Sequence, residues 1–213
     1  MSTVRLAQGG LYSITDGPRA DLIAAAGAAL AGGSRVLQYR DKTSDHARRL
    51  EECAALRILC HSHGCVFIVN DDVELALMCD ADGLHLGESD VDFVSARASL
   101  GQHRIIGVSC YASLDRAERL AGAGADYLAF GTFFDSPTKP AARRAPLDIL
   151  KQAKRFGLPV VAIGGITLEN GRNLLSAGAD FLAVISGVFG AADVRSAAER
   201  YCELFLKSSD DST

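Results

Sequence analysis

The sequence predicts a single α/β domain with the (β/α)8 TIM-barrel fold, and three observations carry this prediction. Eight short apolar runs are spread along the chain, and helical patterns lie between them. Most of these runs are continuously apolar, which is typical of parallel strands that are covered on both faces. In addition, "AGADYLAFG" from Ala123 resembles "AGADFLAVIS" from Ala177, and "DADGLHLG" from Asp80 is a looser copy. This repetition of helix end, turn and strand start indicates that one βα unit recurs.

The eight predicted strands follow one another at intervals that leave room for a helix after each. In chain order they are residues 11–15, 35–40, 66–70, 83–86, 105–110, 127–131, 160–165 and 181–186. A doubly wound open sheet is the alternative, but no G-x-G-x-x-G motif follows the first strand. No Pro-, Ser- or charge-rich linker divides residues 1–213, so we expect one domain near the lower size limit of the barrel fold.

Several predicted helices have recognisable ends. Ser44 is expected to cap a helix whose inward face is formed by Ala47, Leu50, Ala54 and Ile58. Pro146 suits the first turn of a helix that ends near Gly157. Thr167 is expected to open the next helix, and Gly178 can close it in the left-handed conformation. Residues 193–207 form a final amphipathic pattern, and residues 208–213 are expected to be a disordered tail.

Composition and charge narrow the classes of function. The net charge is −4 and the pI is about 5.7, with no basic stripe, so we expect no nucleic-acid partner. No apolar run approaches the ~20 residues of a membrane span, and the N-terminus lacks the apolar core of a signal peptide. These features predict a cytoplasmic protein that does not bind a membrane.

The segment "CHSHGC" from Cys60 to Cys65 invites a zinc-site interpretation. It lacks the paired C-x-x-C and H-x-x-x-H spacings of structural zinc sites. It also lies at the end of a helical pattern, where histidines suit the negative end of the helix dipole. We therefore expect no zinc, and we expect the six cysteines to be mostly buried apolar residues.

Polar side chains and glycines follow most of the predicted strands. In a barrel of this kind the active site lies at the C-terminal ends of the strands, where such residues meet. The positions, in strand order from the second to the eighth, are Gln38, Arg40 and Lys42; Asn70 and Asp71; Asp90; Ser109; the "SPTK" run 136–139; Gly164 and Gly165; Ser186 and Gly187.

Each of these features also has a purely structural explanation. Arg40 and Lys42 can be solvated loop cations, and Asp71 or Asp90 can cap the next helix. "SPTK" can be a turn, and the glycines can form tight turns without a ligand. Together, however, two acids predict a magnesium site, neighbouring cations can neutralise a diphosphate, and glycines can cradle a second phosphate. The combination indicates two phosphorylated ligands and departure of a diphosphate.

The chain resembles the thiamine-phosphate synthase family from about Leu11 to Gly187. The resemblance rests on "QYRDK", "VNDDVELA", "ADGLHLGESD", "GVSCY", "GTFFDSPTK", "VAIGGI" and "AVISG", in that order. It implies a (β/α)8 transferase that joins hydroxymethylpyrimidine diphosphate to a thiazole phosphate and releases pyrophosphate. It further implies that the pyrimidine–diphosphate bond breaks largely before the thiazole nitrogen attacks. This agrees with a rim that is rich in anion-stabilising groups and has no obvious nucleophile–base pair in the sequence.

The resemblance also implies roles for individual residues. Asp71 and Asp90 correspond to ligands of Mg²⁺. The pyrimidine diphosphate site corresponds to Gln38, Tyr39, Arg40, Asp41, Lys42, Asn70, Ser109 and Lys139, of which Arg40, Lys42, Ser109 and Lys139 are expected to be catalytic. The thiazole phosphate site corresponds to Ser136, Pro137, Thr138, Gly165, Ile185 and Ser186.

Two departures from the family pattern and three rival functions accompany this interpretation. Asp135 replaces the proline of the loop F-P-[ST]-x-T-K and should weaken anion binding unless it points outward, and Tyr39 stands where leucine is frequent.

The rivals are the related thiazole tautomerase, an idle barrel that binds a thiamine precursor, and another phosphate-binding isomerase or epimerase. A carboxylated thiazole substrate and a homodimer both remain open. The long segment 133–146 is expected to be a mobile loop that carries Lys139.

Overall fold

Eight parallel strands close into one barrel, in a computed structural model that describes residue 6, residues 8–135 and residues 144–206. Each strand pairs with its sequence neighbours, and β8 pairs with β1 through Gly10 opposite Phe181. The strands are β1 Gly10–Ile14, β2 Val36–Tyr39, β3 Val66–Asn70, β4 Gly83–Leu86, β5 Ile105–Tyr111, β6 Tyr127–Phe130, β7 Val160–Ile163 and β8 Phe181–Val184. The predicted (β/α)8 fold is confirmed, and the open-sheet alternative is wrong because the sheet closes.

The helices surround the barrel. They are α1 Leu22–Ala31, α2 His46–Ser62, α3 Val73–Met78, α4 Phe93–Leu100, α5 Leu114–Gly122, α6 Asp148–Ala153 with a 3₁₀ turn Lys154–Phe156, α7 Gly171–Ser176, α8 Ser186–Phe189 and α9 Val194–Leu206. In the described ranges, none of the helices combines the length and the apolar character that crossing a bilayer requires.

Strand residues alternate between two apolar layers, since successive side chains point to opposite faces of the sheet. The inner layer fills the barrel with side chains such as Tyr12, Val36 and Ile68. The outer layer packs against the helices and includes Leu37 and Phe67. Because both faces of every strand are covered, the strands read as continuous apolar runs in the sequence.

The predicted start and inward face of α2 are wrong. Asp45, rather than Ser44, is the cap, and its carboxylate accepts a hydrogen bond from the Arg48 N–H at 3.2 Å. Ile58 is 68% exposed. The inward face is formed instead by Arg49, Cys53, Leu56 and Cys60. Both faces of this helix carry apolar residues, so the periodicity did not distinguish them.

Two later helices also begin after the predicted residue, but they end as expected. The carbonyl groups of Pro146 and Thr167 accept from Ile149 and Gly171 in the turns that precede α6 and α7. Gly157 and Gly178 follow these helices with φ of 68° and 109°. Both are left-handed values that favour glycine. The final helix α9 is confirmed.

The two cysteines and two histidines of "CHSHGC" do not form a group that could hold a metal ion. Cys60 and Cys65 are buried in the outer apolar layer. His61 Nε2 lies 3.1 Å from Asp82, and His63 Nδ1 lies 3.0 Å from the carbonyl oxygen of Leu59. The histidines therefore contact other parts of α2 and the turn before β4.

The internal repeat has a structural counterpart in three aspartates that precede β4, β6 and β8. Asp82 accepts from the Phe67 N–H at 2.9 Å, Asp126 from Ile106 at 2.8 Å and Asp180 from Val160 at 2.8 Å. Each also contacts a basic side chain, in the order His61, Arg97 and Lys154. From β3 onward the repeated unit is thus two strands long, because the aspartates before β4, β6 and β8 each fix the start of the preceding strand.

We expect Asp126→Asn to lower the free energy of unfolding by about 2–4 kcal/mol, because it breaks a largely buried charge pair and weakens a charge-assisted backbone hydrogen bond. Arg97 Nη2 lies 2.6 Å from the Asp126 carboxylate. Urea unfolding measures the loss. Glu118→Gln is the control, because Glu118 is exposed and 4.0 Å from Arg155. Equal stability of the two variants would contradict the anchoring role of the repeat.

Candidate active site

A cavity of about 530 Å³ opens at the C-terminal ends of the strands. Its polar lining contains seven of the sixteen residues that the sequence analysis assigned to the substrates or to Mg²⁺. They are Gln38, Arg40, Lys42, Asn70, Asp71, Asp90 and Ser109, with Ile185 on the apolar wall. Strands β2, β3 and β5 and the segments that follow β2, β3, β4 and β8 supply these side chains, so residues far apart in sequence meet in one mouth.

The three residues of "NDD" after β3 have different structural roles. Asn70 ends the strand and lines the cavity. Asp71 has φ of 64°, a left-handed conformation that aspartate and asparagine tolerate better than most residues. Its N–H donates to the carbonyl oxygen of His85 at 2.9 Å. Asp72 caps α3 by accepting from Leu75, so Asp71 is not the helix cap.

Asp90 is not a helix cap either, because Asp92 caps α4. One carboxylate oxygen of Asp90 accepts from the Gly87 N–H at 2.6 Å and thereby closes the loop after β4. Burial and the neighbouring Asp90 carboxylate raise the pKa of Asp71, and Lys42 partly opposes this shift. The Lys42 ammonium lies 3.2 Å from Asp71. Two interacting carboxylates and one cation therefore lie together at the mouth.

Successive side chains of the run "QYRDK" point to opposite faces of the barrel wall. Gln38 and Arg40 face the cavity, whereas Tyr39 is buried among the outer helices and donates to Glu52 at 2.6 Å. Asp41 is also buried, and its carboxylate contacts Arg48 at 2.7 Å. The structure thus does not bring the side chains of Tyr39 and Asp41 to the mouth. They hold the loop that carries Lys42, because strand alternation directs them outward.

Ser109 meets a residue that sequence reasoning missed. His85 Nε2 lies 2.9 Å from Ser109 Oγ, and His85 Nδ1 lies 2.8 Å from the Tyr127 hydroxyl. The expectation of a rim without a nucleophile–base pair is therefore wrong as a matter of geometry. Burial lowers the pKa of His85 to about 4, however, so this imidazole is a weak base. Its other nitrogen faces a hydroxyl instead of the carboxylate that orients the histidine of a catalytic triad.

Tyr12 and Tyr127 also line the cavity and were missed. Their positions are inward in β1 and β6, as His85 is in β4. An aromatic or imidazole side chain at an inward position of a barrel strand could have indicated these cavity residues. The inward positions could not be identified from the sequence, because the surrounding runs are apolar on both faces.

Gly165, Ile185 and Ser186, which the family resemblance assigns to a thiazole phosphate, lie directly after β7 and β8. Gly164 lines the cavity beside Gly165, and Ile185 lines it beside the exposed Ser186. Gly164 and Gly165 have φ of 104° and 64°. A Cβ on Gly165 would lie 2.4 Å from the carbonyl oxygen of Asp135, so only glycine fits against the loop after β6. Ser136, Pro137, Thr138 and Lys139 lie outside the described residues, as does the tail 208–213.

Asp135, the departure from the family loop, is exposed and forms an ion pair with Arg144. The pair joins the two described ends of the loop between β6 and α6. Because Asp135 is matched by a cation and is not among the residues that line the cavity, its charge is compensated outside the mouth.

Comparison with known proteins gives a consistent result. Residues 11–188 match the family model described as thiamine monophosphate synthase. A thiamine-phosphate synthase of Acidithiobacillus ferrooxidans is 51% identical over 203 residues, which cover 92% of this chain and 94% of that protein. One of Chromobacterium violaceum is 52% identical over 191 residues, covering 89% and 92%. The solved thiamine phosphate pyrophosphorylase of Pyrococcus furiosus superposes with a TM-score of 0.86 at 36% identity, covering 96% and 98% of the two chains.

Proposed function

The chain belongs to the thiamine monophosphate synthase family, and from this premise we propose that its barrel mouth is the site of thiamine phosphate formation. The enzyme is a transferase that condenses hydroxymethylpyrimidine diphosphate with a thiazole phosphate and releases pyrophosphate. The observation that carries the proposed site is the grouping of Asp71, Asp90 and Lys42 at the opening of the cavity.

The pyrimidine diphosphate is assigned to the side of the mouth formed by β2, β3 and β5. Arg40 and Lys42 can neutralise phosphate oxygens. Gln38, Asn70 and Ser109 offer amide and hydroxyl groups for orienting the ring and the bridging oxygen. Tyr39 and Asp41 act indirectly in this assignment, by holding the β2 loop. Lys139 keeps its proposed catalytic role on the strength of the family resemblance alone.

The acid pair fits Mg²⁺. Carboxylate oxygens are its preferred protein ligands, and it shares its remaining positions with water and phosphate oxygens. The pKa of Asp71 is raised partly because Asp90 is close, and a bound cation would relieve that repulsion. Among the described residues, no three His, Cys, Asp or Glu side chains are grouped closely enough to hold a metal ion. Asp71 and Asp90 would therefore hold Mg²⁺ together with the diphosphate, whose departing charge it would stabilise.

The thiazole phosphate is assigned to the glycine turn after β7 and the start of α8. Gly164 lines the cavity beside Gly165 in this turn, and Ile185 and Ser186 follow β8 on the adjoining edge. Ser136, Pro137 and Thr138 complete this side in the family pattern. The two phosphates then lie on opposite sides of the mouth, which leaves its centre for the reacting carbon and nitrogen.

The side chains of the mouth favour departure of the diphosphate before attack. They supply positive charge and hydrogen-bond donors where negative charge develops on the leaving group. The Ser109–His85 pair is poorly suited to covalent catalysis, because His85 has a low pKa. Closure of the cavity would protect the electron-deficient pyrimidine from water.

Incubation of the protein with both substrates and Mg²⁺, followed by detection of thiamine phosphate and pyrophosphate, tests this function. The thiazole tautomerase would instead isomerise a single thiazole without using the pyrimidine. An idle barrel would bind a precursor without turnover, and a sugar-phosphate isomerase would leave both substrates unchanged.

Ser109→Ala should lower kcat/KM by roughly tenfold, because it removes a hydroxyl that faces the cavity. Its melting temperature should change little, since the serine is only partly buried at the end of β5. Steady-state kinetics with limiting pyrimidine substrate and thermal unfolding measure the two effects. A large fall in melting temperature with unaltered kinetics would assign the hydroxyl to the fold instead.

A homodimer is part of the same proposal. Ile58, Met78 and Val94 are 68%, 60% and 67% exposed on the consecutive outer helices α2, α3 and α4. In the proposed dimer a second copy covers these side chains and removes them from water. Sedimentation equilibrium distinguishes the dimer from the monomer.

A further inference from the structure

Five polar side chains form a continuous hydrogen-bonded chain through the barrel interior, here called the polar chain. Gln38 Nε2 donates to the Tyr12 hydroxyl at 2.7 Å, and the Tyr12 and Tyr127 hydroxyls are 2.8 Å apart. Tyr127 then contacts His85 Nδ1 at 2.8 Å, and His85 Nε2 contacts Ser109 Oγ at 2.9 Å. Its two ends, Gln38 and Ser109, are the residues assigned above to the pyrimidine ligand.

Packing holds the interior members in place. Tyr12 and Tyr127 meet edge to face with ring centroids 6.0 Å apart, and His85 stacks on Tyr127 at 5.6 Å. Gly107 makes room for this arrangement, because a Cβ there would lie 1.8 Å from the Tyr127 ring. The rings are therefore confined, and each hydroxyl has its partners within the polar chain.

The orientation of the Gln38 amide sets the direction of the chain. Each tyrosine hydroxyl and the neutral imidazole carry one hydrogen. With the Gln38 amide nitrogen toward Tyr12, Tyr12 donates to Tyr127, because its single hydrogen would otherwise have no acceptor in the polar chain, and Tyr127 then donates to His85 Nδ1. The imidazole hydrogen then lies on Nε2 and is donated to Ser109. The hydroxyl hydrogen of Ser109 is consequently left for a ligand.

If every hydrogen bond of the polar chain were donated in the opposite direction, Ser109 would not donate to the ligand. If His85 carried its hydrogen on Nδ1, Nε2 would accept the hydrogen of Ser109. The serine would then present only lone pairs to the cavity. Pyrimidine ring nitrogens and phosphate oxygens are hydrogen-bond acceptors, so they require the first direction and are repelled by the second.

We propose that Tyr12, Tyr127 and His85 are positioning residues that set the direction of the polar chain, so that Ser109 acts as a hydrogen-bond donor toward the pyrimidine substrate. This inference rests on the proposed function and deepens it. The same direction leaves the Gln38 carbonyl oxygen free to accept from the ligand. The site thereby selects a ligand with an acceptor near Ser109 and a donor near Gln38.

The test is a double-mutant cycle between Tyr127 and Ser109. Tyr127→Phe removes the hydroxyl that fixes the imidazole and should lower kcat/KM for the pyrimidine substrate roughly threefold to tenfold. In a Ser109→Ala background the same substitution should have no further effect, because no serine remains to be oriented. An equal loss in both backgrounds would overturn the inference. Unaltered kinetics of Ser109→Ala alone would instead contradict the proposed function.

Two further variants make the test independent of the stability of Tyr127→Phe. His85→Gln, which can still donate near the position of Nε2, should retain more activity than His85→Leu. Equal activity of the two His85 variants would overturn the inference.

Ser34→Ala serves as the control for loss of a buried hydroxyl. Ser34 and Ser13 form a hydroxyl pair at 2.5 Å, and Ser34 precedes β2 at the opposite end of the barrel from the mouth. It should lower the melting temperature without changing kcat/KM. A kinetic loss equal to that of Tyr127→Phe would show that any weakened hydroxyl pair in the barrel affects the site and would overturn the inference.

Discussion

Asp71→Asn and Asp90→Asn should each raise the Mg²⁺ concentration for half-maximal activity by about 100-fold and slow turnover, because each removes one of two charged oxygen ligands. The two carboxylates lie near each other at the mouth, and their proximity contributes to the raised pKa of Asp71. Activity measured across a Mg²⁺ titration, with both substrates saturating, gives the shift directly.

Both variants should fold normally, for reasons that differ between the two sites. Asp71 has φ of 64°, and asparagine adopts this left-handed conformation as readily as aspartate. At position 90 the amide oxygen of asparagine can still accept from Gly87, which holds the loop after β4. Alanine would add backbone strain at the first site and lose the loop contact at the second, so asparagine separates metal binding from folding.

A readout other than activity decides whether the acids act on one ion. Calorimetric titration of Mg²⁺ in the presence of pyrophosphate should show weaker binding in each single variant. The double variant should lose less free energy of binding than the sum of the two single losses. Asp115→Asn on α5 is the control, since it removes an exposed acid outside the mouth. Additive losses, or single variants with the control's Mg²⁺ affinity, would show that the carboxylates serve only their loops.

Much of the barrel could be predicted from sequence, because buried parallel strands leave long apolar runs and the site lies where those runs end. Because both faces of the strands are buried, the sequence did not show which side chains point into the barrel and which point toward the helices. Tyr39 faces the helices, whereas Tyr12 and Tyr127 face the cavity, yet all three lie in apolar runs. The contact between Tyr12 and Tyr127 joins residues 115 positions apart, which no local pattern reports. His85 therefore remained invisible as a partner of Ser109.

The choice between neighbouring acids could not be made from composition either. Asp71 and Asp72 follow β3, but only Asp72 caps a helix, and Asp92 rather than Asp90 caps the next one. A displacement of one residue after β3, and of two residues after β4, decides whether a carboxylate reaches the mouth or a helix terminus. After β3 this displacement is set by the left-handed turn at Asp71, which depends on its hydrogen bond to the neighbouring strand β4.

Arg40→Ala should lower kcat/KM by about 100-fold or more, because a guanidinium can bind a diphosphate through two charge-assisted hydrogen bonds. The backbone of Arg40 is fixed by Thr15, whose hydroxyl accepts from its N–H at 2.8 Å and donates to its carbonyl at 3.2 Å. In the part of the chain that the structure describes, no carboxylate is paired with the guanidinium. The side chain is thus directed to the cavity and available for an anion.

The control is Arg195→Ala, which removes an exposed arginine of α9 that pairs with Glu199 at 2.9 Å. It should retain normal kinetics. Arg40→Lys should recover only part of the loss, because an ammonium keeps the charge but cannot make the same two-pronged contact. Inhibition by pyrophosphate should weaken in the same order, from arginine to lysine to alanine, while melting temperatures stay equal. If Arg40→Ala matched Arg195→Ala in both kinetics and pyrophosphate inhibition, Arg40 would be a solvated loop cation, and the diphosphate would have to bind elsewhere in the mouth.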